Sequence, residues 1–498
     1  METNILDRVK LIVGGKGFGV LLCAMAVALA TTVRLKCVGK ADIGGDECFS
    51  LFYALQSPDD IVRVLACGDN PPLWELLLHY WVALFGISVM SLRILSLIFS
   101  VLTVVPLYLA GERHVGRGAG VVASLMYGFS TFSIFLSHDG RVYSLVAMLA
   151  AWSLYLFLSL ATDEENRRSR WVWLTVVDLL LLYSHYMAGW VPVVQCLLVF
   201  LVPILRKRLW RGCLVLIGSL VAGYLPMMPV LYLRILDSGV HGTWVLRSTG
   251  IDGLYDMLRC FTNAPVVTVL SLALVLAAAV RLVVLLCRRQ YVVGATTLLT
   301  VIWAVPMLVS FVVSFFLGCF FNRYFYFLLP TYYLALVAYL YALLQKPLWL
   351  RGVLAAALVT MLALTVCIDS TKLRYGGWKG DTRAVATKLC VLVQEADCEV
   401  ILAPSWIDKQ LVYYFDTAHT AFSTEGRLGE PLFKDYLTDM GFIYCDAPRT
   451  PVAPTVYVVR EPWYGFEEWQ ARLAEAGYVL SDVEKHQQMD IETYRHVL

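Results

Sequence analysis

Apolar runs long enough to cross about 30 Å of hydrocarbon recur along most of this chain, near 17–36, 92–110, 118–136, 144–161, 171–184, 187–205, 213–233, 264–286, 292–317, 325–344 and 349–368. About eleven such spans commit the first three quarters of the sequence to an all-α polytopic membrane bundle, because a segment in lipid must satisfy its own backbone hydrogen bonds. The composition agrees: 59% of residues are hydrophobic and 16% are charged, against roughly 25% charged in a soluble domain. The formal net charge of +2 provides no global field for a nucleic-acid partner.

The distribution of charge carries more information than its sum. Arg113 and Arg117, then Arg167, Arg168 and Arg170, then Arg206, Lys207, Arg208 and Arg211, then Arg288 and Arg289, then Lys346 and Arg351 fall in every second connection. Cytoplasmic loops carry the excess of Lys and Arg, so these loops and the N-terminus are expected inside a plasma (inner) membrane. An odd number of spans then leaves the C-terminus on the periplasmic or extracytoplasmic side. The first run, Gly17 to Val33 behind Arg8, Lys10 and Lys16, is longer than a cleavable signal core and reads as a retained anchor. The run from Trp171 to Tyr183 is short, and Arg281 interrupts the eighth.

Three pieces then face outward: loops 37–91 and 234–263, and the tail from Asp369. The first loop contains the amphipathic pieces Cys48–Leu55 and Ile61–Ala66, followed by Pro71-Pro72 opening the apolar segment Leu73–Phe85, which is too short to span and reads as interfacial or re-entrant. The tail mixes helical stretches (Asp381–Glu395, Glu467–Ala476) with strand-like runs (Glu399–Ala403, Thr455–Val459) and is expected to be a separate soluble α/β domain over 369–498. Thirteen scattered cysteines form no CxxC pair and lie mostly in apolar runs as packing residues; Cys48 and Cys67 share one outer loop and are candidates for a disulfide.

Polar residues cluster at the predicted outer face. Asp46-Glu47 follow Gly44-Gly45 just after the first span, where a carboxylate serves as a general base if desolvation and a like-charged neighbour raise its pKa. The alternative is that Asp46 caps the helix that follows, and the two roles are compatible. Asp69 precedes a Pro-initiated helix in Gly68-Asp69-Asn70-Pro71-Pro72. His138, Asp139, Arg141 and Tyr143 share one turn between the third and fourth spans, where an Arg suits bidentate contact with a phosphate; a local Asp139–Arg141 pair is the plainer reading. His185 and the Arg323-Tyr324 pair fall on the same predicted side, either as site residues or as structural and interfacial anchors.

The segments GDE after the first span, DNPPLWELLLHYWVALFG, SLRILSLIFSVLTVVPLYLAG, SHDGRVYSL, YSHY and NRYFYFLLP resemble, in order, the GT-C superfamily, in the branch of the protein O-mannosyltransferases and bacterial lipid A aminoarabinose transferases. The resemblance covers about the first 345 residues. It implies a GT-C fold and inverting transfer of a sugar from a polyprenyl-phosphate donor to a lipid, polysaccharide or protein acceptor at the outer face. It implies Asp46 as the catalytic acidic residue, acting as base, with Glu47 beside it, and Asp69, Arg141 and Arg323 near the donor phosphate. Relatives commonly carry Glu before Arg-x-Tyr where this chain has His138-Asp139-Gly140, which leaves the role of Asp139 open. Some relatives use a divalent cation, Mg2+ or Mn2+, for which Asp46, Glu47, Asp69 and Asp139 are the available carboxylates.

The main rival is a transporter or a lipid-linked oligosaccharide flippase. Such proteins place polar, helix-breaking sites near the midplane of repeated halves, whereas here the polar groups gather at one face and no half repeats the other.

Overall fold

The structure is a computed structural model. It describes residues 15–343 and 381–497 apart from 37, 66–69, 164–166, 242–244, 246, 249, 288–293, 396, 423–432, 447, 448 and 488; within 344–380 it describes 352, 356, 359 and 360 alone. All but those four residues of the predicted span 349–368, and the predicted domain boundary at 368/369, therefore lie outside the described residues.

Each predicted span from 17–36 to 325–344 coincides with a helix or a helix pair. The elements used below are α1 (Lys16–Leu35), α2 (Gly45–Ala54), α3 (Leu73–Phe85), α4 (Val89–Leu102), α5 (Val104–His114), α6 (Arg117–Phe129), α7 (Thr131–Ser137), α8 (Tyr143–Thr162) and α9 (Arg168–Leu182). Six helices among the described residues are long and apolar enough to cross a membrane, and eight if each of two bent pairs counts as one span. The sequence count of about eleven is thus approximate. The segment 118–136 breaks between α6 and α7 with a 60° bend at Ser130, and the predicted fifth and sixth spans form helices too short to pass alone.

Burial separates the periphery from the centre. The windows tested in Lys16–Leu35 and Pro203–Leu236 are 22% buried, whereas those in Tyr143–Thr162 and Asn322–Ala342 are 72% and 89% buried. The two central helices begin at the turns that carry Arg141 and Arg323, so the cationic candidates sit on the most constrained scaffold in the bundle. On α1, Val20, Leu21, Met25 and Leu29 face outward as a lipid-facing helix requires. Its fully buried Arg34 donates to Ser100 Oγ (3.0 Å), Ser133 Oγ (2.7 Å) and the Gly128 carbonyl (2.8 Å), binding α1 to α4, α6 and α7. An intramembrane charge persists only with such partners.

The tail is the expected α/β domain. Strands β1 (Cys398–Ala403), β2 (Phe442–Tyr444), β3 (Thr455–Arg460), β4 (Tyr478–Glu484) and β5 (Asp490–His496) form one sheet in the order β2-β1-β3-β5-β4. β1 is parallel to β2 and β3, with Val400 opposite Phe442 and Tyr457, while β5 is antiparallel to β3 and β4. Helices α10 (Thr382–Glu395), α11 (Asp408–Phe415), α12 (Phe433–Asp439) and α13 (Glu467–Glu475) complete it. The domain rests on the segment that follows α1. The Ile43 amide donates to Tyr414 Oη (3.2 Å), Gln56 Nε2 donates to the Phe422 carbonyl (2.9 Å), and the Arg383 amide donates to Asp42 Oδ2 (2.8 Å). Cys48 is a buried free thiol, and its proposed partner Cys67 lies outside the described residues.

Candidate active site

Gly44 is the N-cap of α2, so Asp46 stands in the first helical turn and is not the cap that the sequence allowed. Glu47 reaches back instead, its Oε2 accepting from the Gly44 amide at 2.8 Å, which is half of a capping box. Both Glu47 oxygens are also held by the Arg93 guanidinium at 2.9 Å, and Oε1 accepts from the Gly140 amide at 2.8 Å. Arg93 in turn donates to the carbonyls of Val38 (3.1 Å), Ala41 (2.7 Å) and Asp42 (2.6 Å). The side chains of Glu47 and Arg93 are both fully buried. The sequence expectation that Glu47 joins Asp46 in the chemistry meets a physical obstacle, since its carboxylate is enclosed and fully occupied.

Asp46 has the opposite surroundings. Its side chain is 46% exposed and forms an ion pair with Arg323, which is nearly buried at the start of a 3-10 turn, Asn322–Leu328. Asn322 Oδ1 accepts from the Arg323 amide at 2.7 Å, and the Arg323 guanidinium lies 5.0 Å from the Phe321 ring centre and 5.8 Å from that of Tyr143. Arg141 approaches from the other side: its Nη1 donates to Ser50 Oγ (2.6 Å) and to the Asp46 carbonyl (3.3 Å), and stands 3.9 Å from Glu75 Oε1. Ser50 Oγ donates to the same Glu75 oxygen at 3.0 Å. Burial opposes the Arg141 charge, but Asp46, Tyr143, Glu75 and Asp139 more than offset it and hold the group above the ordinary arginine value. Burial also pushes the Glu75 carboxyl up, against the pull of Arg141 and Ser50.

The turn 138–141 is fixed by backbone contacts. Trp74 Nε1 donates to the Gly140 carbonyl (3.2 Å) and Ser96 Oγ to the Arg141 carbonyl (3.0 Å). Asp139 is 4% exposed and acts electrostatically on both Arg141 and Arg323. His138, expected near a phosphate, is fully buried with Nε2 2.6 Å from the Arg34 carbonyl, so it braces α1 against this turn. His185 packs its ring 6.1 Å from Tyr143 and 5.2 Å from Tyr324. Burial, then Arg141 and Arg323, lower its pKa to about 3, which makes it a neutral imidazole. Its Nδ1 accepts from the Met187 amide at 3.2 Å, which assigns the ring proton to Nε2.

The structure thus gathers Asp46, Asp139, Arg141, Tyr143, His185, Arg323 and Tyr324 at one end of the bundle, and holds Glu47 and His138 behind them. Asp69 lies outside the described residues. The sequence reading passed over Arg93, Glu75 and Ser50. Arg93 had a signal, since an arginine in the apolar run SLRILSL requires a buried partner. Among the described residues no group of three His, Cys, Asp or Glu side chains is arranged to hold a metal ion. Of the carboxylates expected to serve one, Glu47 is occupied by Arg93 and Asp46 by Arg323.

Residues 69–233 match the model of the family described as dolichyl-phosphate-mannose-protein mannosyltransferase. No curated protein matches the chain. Among solved structures, ArnT from Cupriavidus metallidurans in the apo state superposes with a TM-score of 0.59 at 12% identity, covering 96% of this chain and 98% of that one. The same protein bound to undecaprenyl phosphate gives 0.57 at 13% identity, with the same coverage. The oligosaccharyltransferase AglB from Archaeoglobus fulgidus, in complex with an inhibitory peptide and a dolichol-phosphate, gives 0.52 at 11% identity over 93% of this chain and 72% of that one. From α1 to the C-terminal sheet, the chain shares the fold of these solved structures.

Proposed function

We propose that the protein is an inverting glycosyltransferase that moves a sugar from a polyprenyl-phosphate donor to an acceptor hydroxyl at the outer face of the membrane. The observation that carries the reading is the convergence of a half-exposed carboxylate, Asp46, with Arg141 and Arg323 at the ends of the two most buried helices. The fold shared with a protein bound to undecaprenyl phosphate and another bound to dolichol-phosphate supports a lipid-phosphate donor.

Asp46 takes the proton of the acceptor hydroxyl as its oxygen attacks the anomeric carbon. The bond from that carbon to the phosphate oxygen breaks, and its electron pair leaves with the phosphate. Arg141 and Arg323 hold the charge that develops there, as preorganised cations in a poorly solvated site do. The donor phosphate competes with Asp46 for Arg323, so donor binding releases the carboxylate for its role as base. Neutral His185, with its proton on Nε2, and Tyr143 and Tyr324 supply hydrogen bonds without adding charge. Glu47 is a positioning residue: through Arg93 and the Gly140 amide it fixes α2 against the arginine-bearing turn.

The test is reconstitution of the purified chain with a panel of polyprenyl-phosphate sugars. Release of polyprenyl phosphate that requires both the matching sugar and an acceptor is expected; no release with any donor would overturn the reading.

A further inference from the structure

Between α2 and the C-terminal domain lies a cavity of about 340 Å³ that the chemistry above does not use. Phe49 and Tyr53 of α2 form one wall, and Trp406, Lys409, Lys434 and Asp446 line the other. Its volume is within the usual range of ligand clefts, about 300–1,000 Å³. Trp406 is 50% exposed and stacks on Trp463, itself 70% exposed, with ring centres 5.9 Å apart and planes 24° from parallel. Tyr464 meets Trp406 edge-on at 5.7 Å, which fixes the indole as a platform. Ser405 Oγ donates to Asp446 Oδ1, so the rim of the platform carries a hydroxyl and a carboxylate, and Lys409 and Lys434 line the same wall.

A pyranose has one face of C–H groups and a rim of hydroxyls that both donate and accept. The exposed indole suits that face, and a mixture of carboxylate, hydroxyl and ammonium groups suits that rim. Lipid tails need a continuous apolar wall, which the four charged side chains Asp408, Lys409, Lys434 and Asp446 interrupt. These charges also cancel in sign, so the cavity offers no net field for a polyanion. Phe49 joins the cavity to the reacting groups. It follows Asp46 by three residues, about 4.5 Å along the helix, and the Arg141 guanidinium lies 5.4 Å from its ring centre.

We propose that this cavity is a saccharide subsite for the acceptor: Trp406 stacks on a pyranose ring of the acceptor while Lys409, Lys434 and Asp446 hold its hydroxyls, presenting the acceptor along α2 toward Asp46. The proposal rests on the glycosyl-transfer reading for its role and on the cavity alone for its ligand. The experiment measures binding of neutral, amino-sugar and uronate oligosaccharides to the purified full chain in detergent, without donor, beside an amphipathic peptide and phosphatidylglycerol vesicles as probes of other occupants. At least one oligosaccharide is expected to bind, with Trp406→Ala weakening it tenfold or more and Lys434→Ala weakening it severalfold. Both truncated side chains are at the surface, and an unchanged melting temperature confirms that the fold persists. Absence of saccharide binding, binding indifferent to both Trp406→Ala and Lys434→Ala, or Trp406-dependent binding of the peptide or vesicles instead would overturn the subsite. Saccharide binding that depends on Trp406 together with full transfer by Asp46→Asn would sink the reaction scheme and leave the subsite standing.

Discussion

Asp46 and Glu47 are neighbours in the chain, each paired with an arginine from a distant helix, yet one pair is enclosed and the other is open. Glu47 and Arg93 are completely buried, with further hydrogen bonds to Gly44, Gly140 and three carbonyls. Asp46 is 46% exposed against a nearly buried Arg323. A sealed ion pair with every oxygen engaged has no capacity left for a substrate, and its value lies in fixing one arrangement of the elements it joins. An open pair is exchangeable, because an incoming anion competes for the arginine while solvent accommodates the carboxylate. Two acidic residues one peptide bond apart thus differ in burial: one is sealed into the scaffold, and the other is open to the chemistry proposed for it.

The comparison is broken most directly at the open pair. Asp46→Asn is expected to leave a folded, donor-binding protein whose turnover falls by about 10²–10⁴-fold, the usual consequence of losing a general base. Since Asp46 is not the N-cap, no capping loss accompanies the change. Near-native turnover in the reconstituted transfer assay would remove Asp46 from the mechanism.

At the sealed pair the effect moves from rate to stability. Glu47→Ala leaves Arg93 charged and buried, which costs about 3–5 kcal/mol when one member of such a pair is deleted. The expected readout is a large drop in melting temperature, with loss of donor binding following loss of structure. A Glu47→Ala protein that melts normally but turns over slowly would reverse the assignment of the two residues.

This contrast marks the limit of what the sequence made legible. The helix from Leu73 to Phe85 was readable because Pro71-Pro72 fixes its start and Gly86 its end. The gathering of Asp46, Arg141 and Arg323 was readable because loop charge sorted the polar turns to one face. What separated Asp46 from Glu47 was the position of Arg93, 46 residues downstream of Glu47 in an apolar run, and adjacency in sequence favoured treating the two acids as one unit. The C-terminal domain was read only in part: β1 and β3 are apolar enough to be recognised, whereas β5 (DIETYRH) carries mostly polar residues and is identified by its pairing with β3.

Asp408 extends the comparison to a carboxyl buried at the α11 terminus, where it accepts from the Lys409 amide at 2.6 Å. Burial raises its pKa from the ordinary 3.8 to about 6, against the pull of Lys409 and Lys434. The folded protein keeps this proton to higher pH than the unfolded chain does. The group therefore costs nothing below about pH 4, and its cost grows as pH rises through 6, to at most about 3 kcal/mol at 1.36 kcal/mol per pKa unit. Asp408→Asn is expected to raise the melting temperature at pH 8 and leave it unchanged near pH 4. A gain of equal size at both pH values would show that folding leaves the Asp408 carboxyl unshifted.

The smallest test uses two glycines on either side of the divide. A Cβ built at Gly140 would lie 3.1 Å from Leu92 Cβ and 3.4 Å from Glu47 Oε1, both on the sealed side. Neither neighbour has room to withdraw, since Leu92 is fully buried and the Glu47 oxygen is fixed by Arg93. Overpacking of this kind costs about 1–3 kcal/mol. At Gly45, on the open side, the new Cβ would meet Gln410 Nε2 at 3.1 Å, the far end of a flexible side chain, while alanine reduces the freedom of the unfolded chain, worth about 0.4–1 kcal/mol. Gly140→Ala is thus expected to lower the melting temperature and Gly45→Ala to leave it level or slightly raised, both followed by thermal unfolding in detergent. Equal destabilisation by the two would mean that the interface between α2 and the C-terminal domain is as unyielding as the Glu47–Arg93 seal, and that the openness of Asp46 extends no further than its own side chain.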